Sequence, residues 1–297
     1  MALTRVPSAV NQSKRIHMAV YGCCDIVSRL LRYQGKFENE LLFTLQTHMR
    51  NETVLIDIGG NIGWWPFNFA ATHEVHTFEP FVRNLALQNV TKCLNPELSR
   101  RIHTYPYGLY YEKATCELWQ APSINTGDTT SACGTERTLP IQRQLLLSKF
   151  GRQRGGGKLL GMAEMRVLDD TIPTDLFFRD KVVKIDVEGL ELEALRGAMR
   201  LLSTGSPPRA ILVEVRSYVT DKARATALLD FMWRFGYAPL ENGHRRAIPS
   251  CRNFLVAHDV VFAHGRRGVL TAERGQGPRR RVWPCPWEIV ENRSKIR

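Results

Sequence analysis

The chain has 297 residues, 43% of them hydrophobic and 24% charged, and a net charge of +12. That length suits one large α/β domain with additions or two small domains, and the composition excludes a chain disordered throughout. The charge is uneven: residues 134–166 hold seven Lys/Arg against two acids and residues 266–297 hold nine against three, which leaves about +1 for everything else. A nearly neutral core with basic appendages is expected.

No run of about 18 apolar residues is present, and no charged start with an apolar stretch and a small-residue cleavage site opens the chain. The first 24 residues carry Arg5, Lys14 and Arg15 without an acid and are read as a plain basic N terminus rather than a transit peptide. The seven cysteines are odd in number and scattered, with no CxxC pair, so neither a zinc site nor a disulfide framework is indicated. The expectation is a soluble protein of a reducing compartment, the cytoplasm.

In chain order, residues 1–50 read as a helical lead-in. Two helices break at Gly35, with Ile26, Val27, Leu30 and Leu31 on one face and Leu41, Leu42, Leu45 and Met49 on the next. TVLIDIGG (53–60) is a buried strand, NIGWWPFNFAA opens a helix with Pro66 in its first turn, and EVHTFEP (74–80) is a second strand. A helix over NLALQNVTKCL and strands over RIHTYPYG and ATCELW follow. VVKIDVEG, a helix, RAILVEV, a helix and FLVAHDVVFA complete the main domain over 51–264. Strands alternating with helices predict a mostly parallel sheet covered on both faces. GRQRGGGKLLG (151–161) reads as a loop within a basic insertion over about 134–166, and 265–297 as a flexible basic tail. An anionic partner is the natural ligand of such a tail.

Asp57, Gly59, Asn61 and Gly63 form a D-x-G-x-N-x-G turn between a strand and a helix, with Gly60 inside it. Glycines there let the backbone approach a ligand, and the helix start offers unpaired N–H groups. Glu79 ends the next strand, where a carboxylate can accept both hydroxyls of a ribose. An NAD fingerprint is broken by Asn61. Asp57 suits a cationic group better than a pyrophosphate, and together these point to S-adenosyl-L-methionine.

The ordered set LIDIGGNIG, HTFEP with Asn84, YGLYYEKATCELW, the Asn125-Thr126-Gly127 turn, RVLDD and KIDVEGLELEALRGA resembles the FkbM-type methyltransferases from about Gly35 to Val261. The resemblance implies a Rossmann-like class I methyltransferase fold, with a seven-stranded, mostly parallel sheet whose last strand is antiparallel. It also implies S-adenosylmethionine-dependent O-methylation of a hydroxyl on a small molecule or sugar. By position, Asp57, Gly59, Gly60, Asn61 and Gly63 would hold the methionine end, Glu79 the ribose, and Tyr107 and Gly108 the adenine, with Asp186 beside the methyl. Trp64-Trp65, the basic insertion and the tail depart from the family pattern.

Asp186 and Glu188 are the catalytic candidates at the exit of a buried strand, where a carboxylate can take a hydroxyl proton or ligate a metal that does. No metal site is assigned. Glu188 is equally suited to capping the next helix. Glu191 and Glu193 are placed on that helix's wet face, Lys184 is read as an exposed or ion-paired strand residue, and Glu214 is a second carboxylate candidate. His73, His76, His103, His244 and His258 show no ligand spacing and are read as structural. Two alternatives stand behind this reading. One is an RNA 2′-O-methyltransferase using Lys184, Asp186 and Glu214, and the other a catalytically silent binding protein of the same fold.

Overall fold

The computed structural model describes residues 1–120, 125–127, 129–134, 138–150, 157–218, 221–240 and 259–265. The tail over 266–297, the GRQRGG stretch, His244, His258, Cys251 and Cys285 lie outside the described residues.

The chain starts with a hairpin. β1 (Ala2–Pro7) pairs antiparallel with β2 (Arg15–Val20). Residues 1–50 are therefore not a purely helical lead-in. The alternation of buried Ile16, Met18 and Val20 with exposed Arg15 and His17 is the period of a half-buried strand. Helix α1 (Ile26–Gln34) follows, capped by Asp25, whose side chain accepts from Ser28 N at 2.6 Å, and ended by Gly35 at φ 67°. Helix α2 spans Asn39–Gln46.

Then come β3 (Val54–Ile58), α3 (Trp64–Phe69), β4 (Val75–Phe78), α4 (Val82–Leu94), α5 (Pro96–Ser99) and β5 (Ile102–Tyr105). β6 (Gly108–Leu109), β7 (Ala114–Gln120), β8 (Thr130–Ala132), α6 (Leu139–Phe150), β9 (Lys158–Arg166) and α7 (Leu168–Thr171) lead back to β10 (Lys181–Ile185). The described part of the basic insertion is thus not a loop: Lys158–Gly161 begin a nine-residue strand paired with β7. After α8 (Glu191–Arg196) and α9 (Met199–Ser203), the chain adds β11 (Ala210–Glu214), α10 (Lys222–Arg234), β12 (Tyr237–Leu240) and β13 (Asp259–His264).

The central sheet has seven strands in the order β12-β13-β11-β10-β3-β4-β5. β13 is antiparallel to both neighbours, while the β11–β10–β3–β4–β5 pairings are parallel. Alternate residues of β3 face opposite cores, as the two-residue strand period requires. Val54, Ile56 and Ile58 pack with Leu192, Leu195 and Met232, and Leu55 packs with Met18, Leu31 and Phe67. Hairpin and α1 therefore share the core of the sheet.

A second sheet, β6-β9-β7-β8, stands beside the first. Cys116 and Cys133 join there as a disulfide across 17 residues. This corrects the reading of unpaired cysteines and withdraws its argument for a reducing compartment, because disulfides persist mainly in oxidising ones. Cys23, Cys24 and Cys93 are free and exposed. Among the described residues, no helix is long and apolar enough to cross a membrane.

Candidate functional site

The glycine turn leaves β3 at the sheet's C-terminal end. Gly59 N and Gly60 N both donate to Phe78 O, at 2.9 and 3.0 Å, which ties the turn to β4. Gly59 sits at φ +88°, and a Cβ there would lie 1.8 Å from Asp186 O. Only glycine lets β3 and β10 exit so close together. Asn61, itself at φ +48°, donates its backbone N–H to Glu79 Oε2 at 2.7 Å. Phe81 N donates to Glu79 Oε1 at 2.7 Å. Glu79 is thus fixed by two backbone donors, and burial pushes its carboxyl up to about 7 against the pull of those bonds.

Asp57 has a different fate. Thr77, Asp57 and Lys184 are register neighbours on β4, β3 and β10. Thr77 Oγ1 donates to Asp57 Oδ2 at 2.8 Å, and Lys184 Nζ lies 3.6 Å from Oδ1. Asp57 is fully buried and its cation is Lys184, so the structure does not turn it toward a ligand. Lys184 also donates to Gly59 O at 2.7 Å and lies 3.4 Å from Asp186 Oδ2. Burial opposes the Lys184 charge, but Asp186 and Asp57 outweigh it and hold the ammonium protonated.

More carboxylates gather at this end. Burial first, and Asp186 next, push Glu214 up to about 9 and Glu38 up to about 7. Asp186, Glu188 and Glu214 bring one oxygen each to within 4.8 Å of one another, an arrangement able to share protons or hold a divalent cation. Glu38 had no sequence signal. It is placed by the Trp64-Trp65 pair: Trp65 Nε1 donates to Glu38 Oε2 at 3.1 Å and Trp64 Nε1 donates to Phe37 O.

Glu191 is corrected outright. It is buried, not on a wet face, and its Oε1 accepts from Gly189 N at 2.8 Å and Val187 N at 3.4 Å. Glu191 thus satisfies two of the amides leading into α8. The apolar periodicity was correct for Leu192 and Leu195 but could not show that the preceding loop needs an acceptor.

An open cleft lies over these elements, its roughly 620 Å³ of free space continuous with solvent. Of the sequence-predicted residues, Gly59, Asn61, Glu79, Gly108, Asp186 and Glu188 line it. Asp57, Gly60, Gly63 and Tyr107 do not. Gly60 and Gly63 serve packing, since a Cβ would meet Thr77 Oγ1 at 2.1 Å or Phe67 at 2.9 Å. Tyr107 packs against Phe78 and beneath Arg166. His73 is buried, with Nδ1 3.1 Å from Thr53 O, as a structural residue would be.

The rim is closed by distant segments. Asp25 Oδ2 accepts from Gly127 N at 3.0 Å, Asn84 Nδ2 donates to Gly127 O at 3.1 Å, and Tyr21 OH donates to Asn84 Oδ1 at 2.8 Å. Thr126 N donates to Cys24 O at 2.8 Å.

No curated protein matches the chain. Among solved structures, the methyltransferase FkbM of Methylobacillus flagellatus aligns at 18% identity and TM-score 0.41, over 73% of this chain and 45% of that one. This chain thus spans less than half the length of that relative. A precorrin-6y C5,15-methyltransferase of Geobacter metallireducens aligns at 12% identity and TM-score 0.35, over 76% and 87%. An rRNA methylase of Streptococcus thermophilus aligns at 10% and 0.36, over 76% and 95%. The sequence pattern of the Methyltransferase FkbM domain matches residues 57–239, well over half of the chain, and the protein belongs to that family.

Proposed function

We propose that this protein transfers the methyl group of S-adenosylmethionine to a hydroxyl oxygen of a small molecule or sugar. The observation that carries the reading is the state of Glu79. Its two oxygens each take one backbone N–H, from Asn61 and Phe81, and the carboxylate still lines the cleft. A carboxylate has about four lone-pair sites, so acceptors remain for a ribose diol. Gly59, Asn61 and Gly108 give that ligand a wall of backbone and small side chains. When bound, the cofactor supplies an electrophilic methyl on a cationic sulfur.

Asp186 lines the same cleft at the exit of β10. Its carboxylate faces the Lys184 ammonium at 3.4 Å, and it is suited to accept a proton from an acceptor hydroxyl. Glu188, on the same rim, is the alternative base. The RNA 2′-O-methyltransferase alternative loses support, because Lys184 is buried and engaged with Asp57, Asp186 and Gly59 O rather than turned to an acceptor.

Calorimetric titration tests the reading. S-adenosylmethionine and its demethylated product should bind and NAD should not. Glu79→Ala should lose about 1.5–3 kcal/mol of cofactor affinity, the scale of a hydrogen bond to a charged group. NAD binding without S-adenosylmethionine binding would end the proposal. Turnover with candidate hydroxyl acceptors separates a working enzyme from a silent binding protein.

A further inference from the structure

At the N-terminal end of β4, away from Glu79 and the cleft, lies a cluster that methyl transfer leaves unused. Glu74 immediately precedes β4 and His76 lies two residues on, so their side chains share a face. His103 is the register partner of His76 on the edge strand β5. Strand pairing thus collects side chains 29 positions apart in the chain, which is why spacing along the sequence showed no ligand pattern.

The three converge on one point. Glu74 Oε1 is 3.0 Å from His76 Nε2 and 3.4 Å from His103 Nε2. One donor atom from each residue lies within 4.8 Å of the others. Ligands about 2.0–2.1 Å from a tetrahedral zinc ion stand about 3.3–3.4 Å apart, so Glu74 Oε1 is near that spacing from each imidazole nitrogen, while the two rings, stacked at 4.5 Å between centroids, would tilt together on a shared ion.

We propose that Glu74, His76 and His103 bind a borderline divalent transition-metal ion such as Zn²⁺, which clips the edge strand β5 to β4. Two imidazoles and a carboxylate are a donor set such ions prefer over Mg²⁺ or Ca²⁺. A carboxylate only accepts, so His76 Nε2 carries the hydrogen of its bond to Glu74 Oε1, and an ion would take that hydrogen's place. The Tyr105 hydroxyl is 2.9 Å from His76 Nδ1. A hydroxyl can donate or accept, so it also supports the tautomer that frees Nε2 for a metal.

Arg179 occupies the other Glu74 oxygen at 2.7 Å and leaves Oε1 to the ion. Asp175, 3.4 Å from Arg179, offsets part of that positive charge. His103 is half exposed, which provides an entry path and room for a water as fourth ligand.

The test is cobalt(II) titration of the full-length chain, read by visible absorption. The expected result is one equivalent bound with the d–d band of a four-coordinate nitrogen and oxygen site, displaced by zinc. His103→Ala, at an exposed position, should abolish that band while the circular dichroism is unchanged, and Glu74→Gln should weaken it. Asp186→Asn and Glu214→Gln should leave it unchanged, which separates this site from the carboxylates of the cleft. Binding that persists in His103→Ala, a spectrum carried by thiolate charge transfer, or no uptake at about 1 mM cobalt, far above the range of structural sites, would overturn the proposal.

Discussion

The two ends of the central sheet handle charge in opposite ways. At the N-terminal end, carboxylates meet their own arginines: Glu74 and Asp175 meet Arg179, and Asp180 meets Arg209 and accepts from Thr53 Oγ1 at 2.8 Å. At the C-terminal end, Asp57, Asp186 and Glu38 surround the Lys184 ammonium, and Asp186 in turn helps raise Asp57, Glu38 and Glu214. A folded chain gains nothing structural from crowding acids, since buried like charges are driven to protonate. The crowded end is the one that opens into the cleft. Local neutrality marks scaffold here, and the unbalanced charge coincides with the place where we propose that a ligand and its protons are handled.

Four measurements break or sharpen this contrast. The largest effect is expected from Asp186→Asn, which should lower turnover about 10²- to 10⁴-fold, the usual contribution of a positioned base, with little change in cofactor affinity. Unchanged turnover would make Asp186 part of the scaffold and bring Glu188→Gln forward. Next comes Lys184→Met, which strands Asp57 in the core and should remove about 3–5 kcal/mol of stability in urea unfolding. Adding Asp57→Asn to it should restore part of that loss. A mild Lys184→Met would mean that the carboxylates are not held by this ammonium.

Glu214→Gln reports on the surplus protons. With Glu214 pushed up to about 9, the folded protein retains a proton that the unfolded chain releases near the ordinary value of about 4.3. Stability should therefore fall as pH rises through that window, and the glutamine variant should flatten the fall in urea midpoints between about pH 5 and 9. An unaltered slope would remove Glu214 as its source. The smallest effect belongs to the other end: Arg209→Ala breaks a partly exposed pair and should cost about 0.2–1 kcal/mol. A loss matching that of Lys184→Met would erase the distinction between the two ends.

What could be read in the sequence was what is local. The turn glycines, Glu79 at a strand end and Asp186 at the next exit follow from short-range rules of strand, turn and helix start. Burial of acids is not local. Glu191 matched a wet helical face by spacing, yet it is drawn inward by two loop amides. Asp57 looked like a partner for a ligand's cation, but the register of β10 supplies Lys184 instead. The Cys116–Cys133 pair, the Glu38–Trp65 contact and the His76–His103 pairing each depend on which strands become neighbours. The hairpin over 2–20 was legible in the alternation of β2, but six residues are a short run from which to declare a strand.

Asp25 divides its two oxygens between Ser28 of its own helix and Gly127, which is 102 residues away. Closing so long a loop costs entropy that must be met before the contact contributes. Pairing of the intervening strands brings these ends together and shortens the loop that the contact must close. During synthesis, a ribosome must have extended the chain past Gly127 before the first helix can acquire its second tether. The opening segment waits for its anchor, and the pocket is completed by a residue made long after the helix it secures.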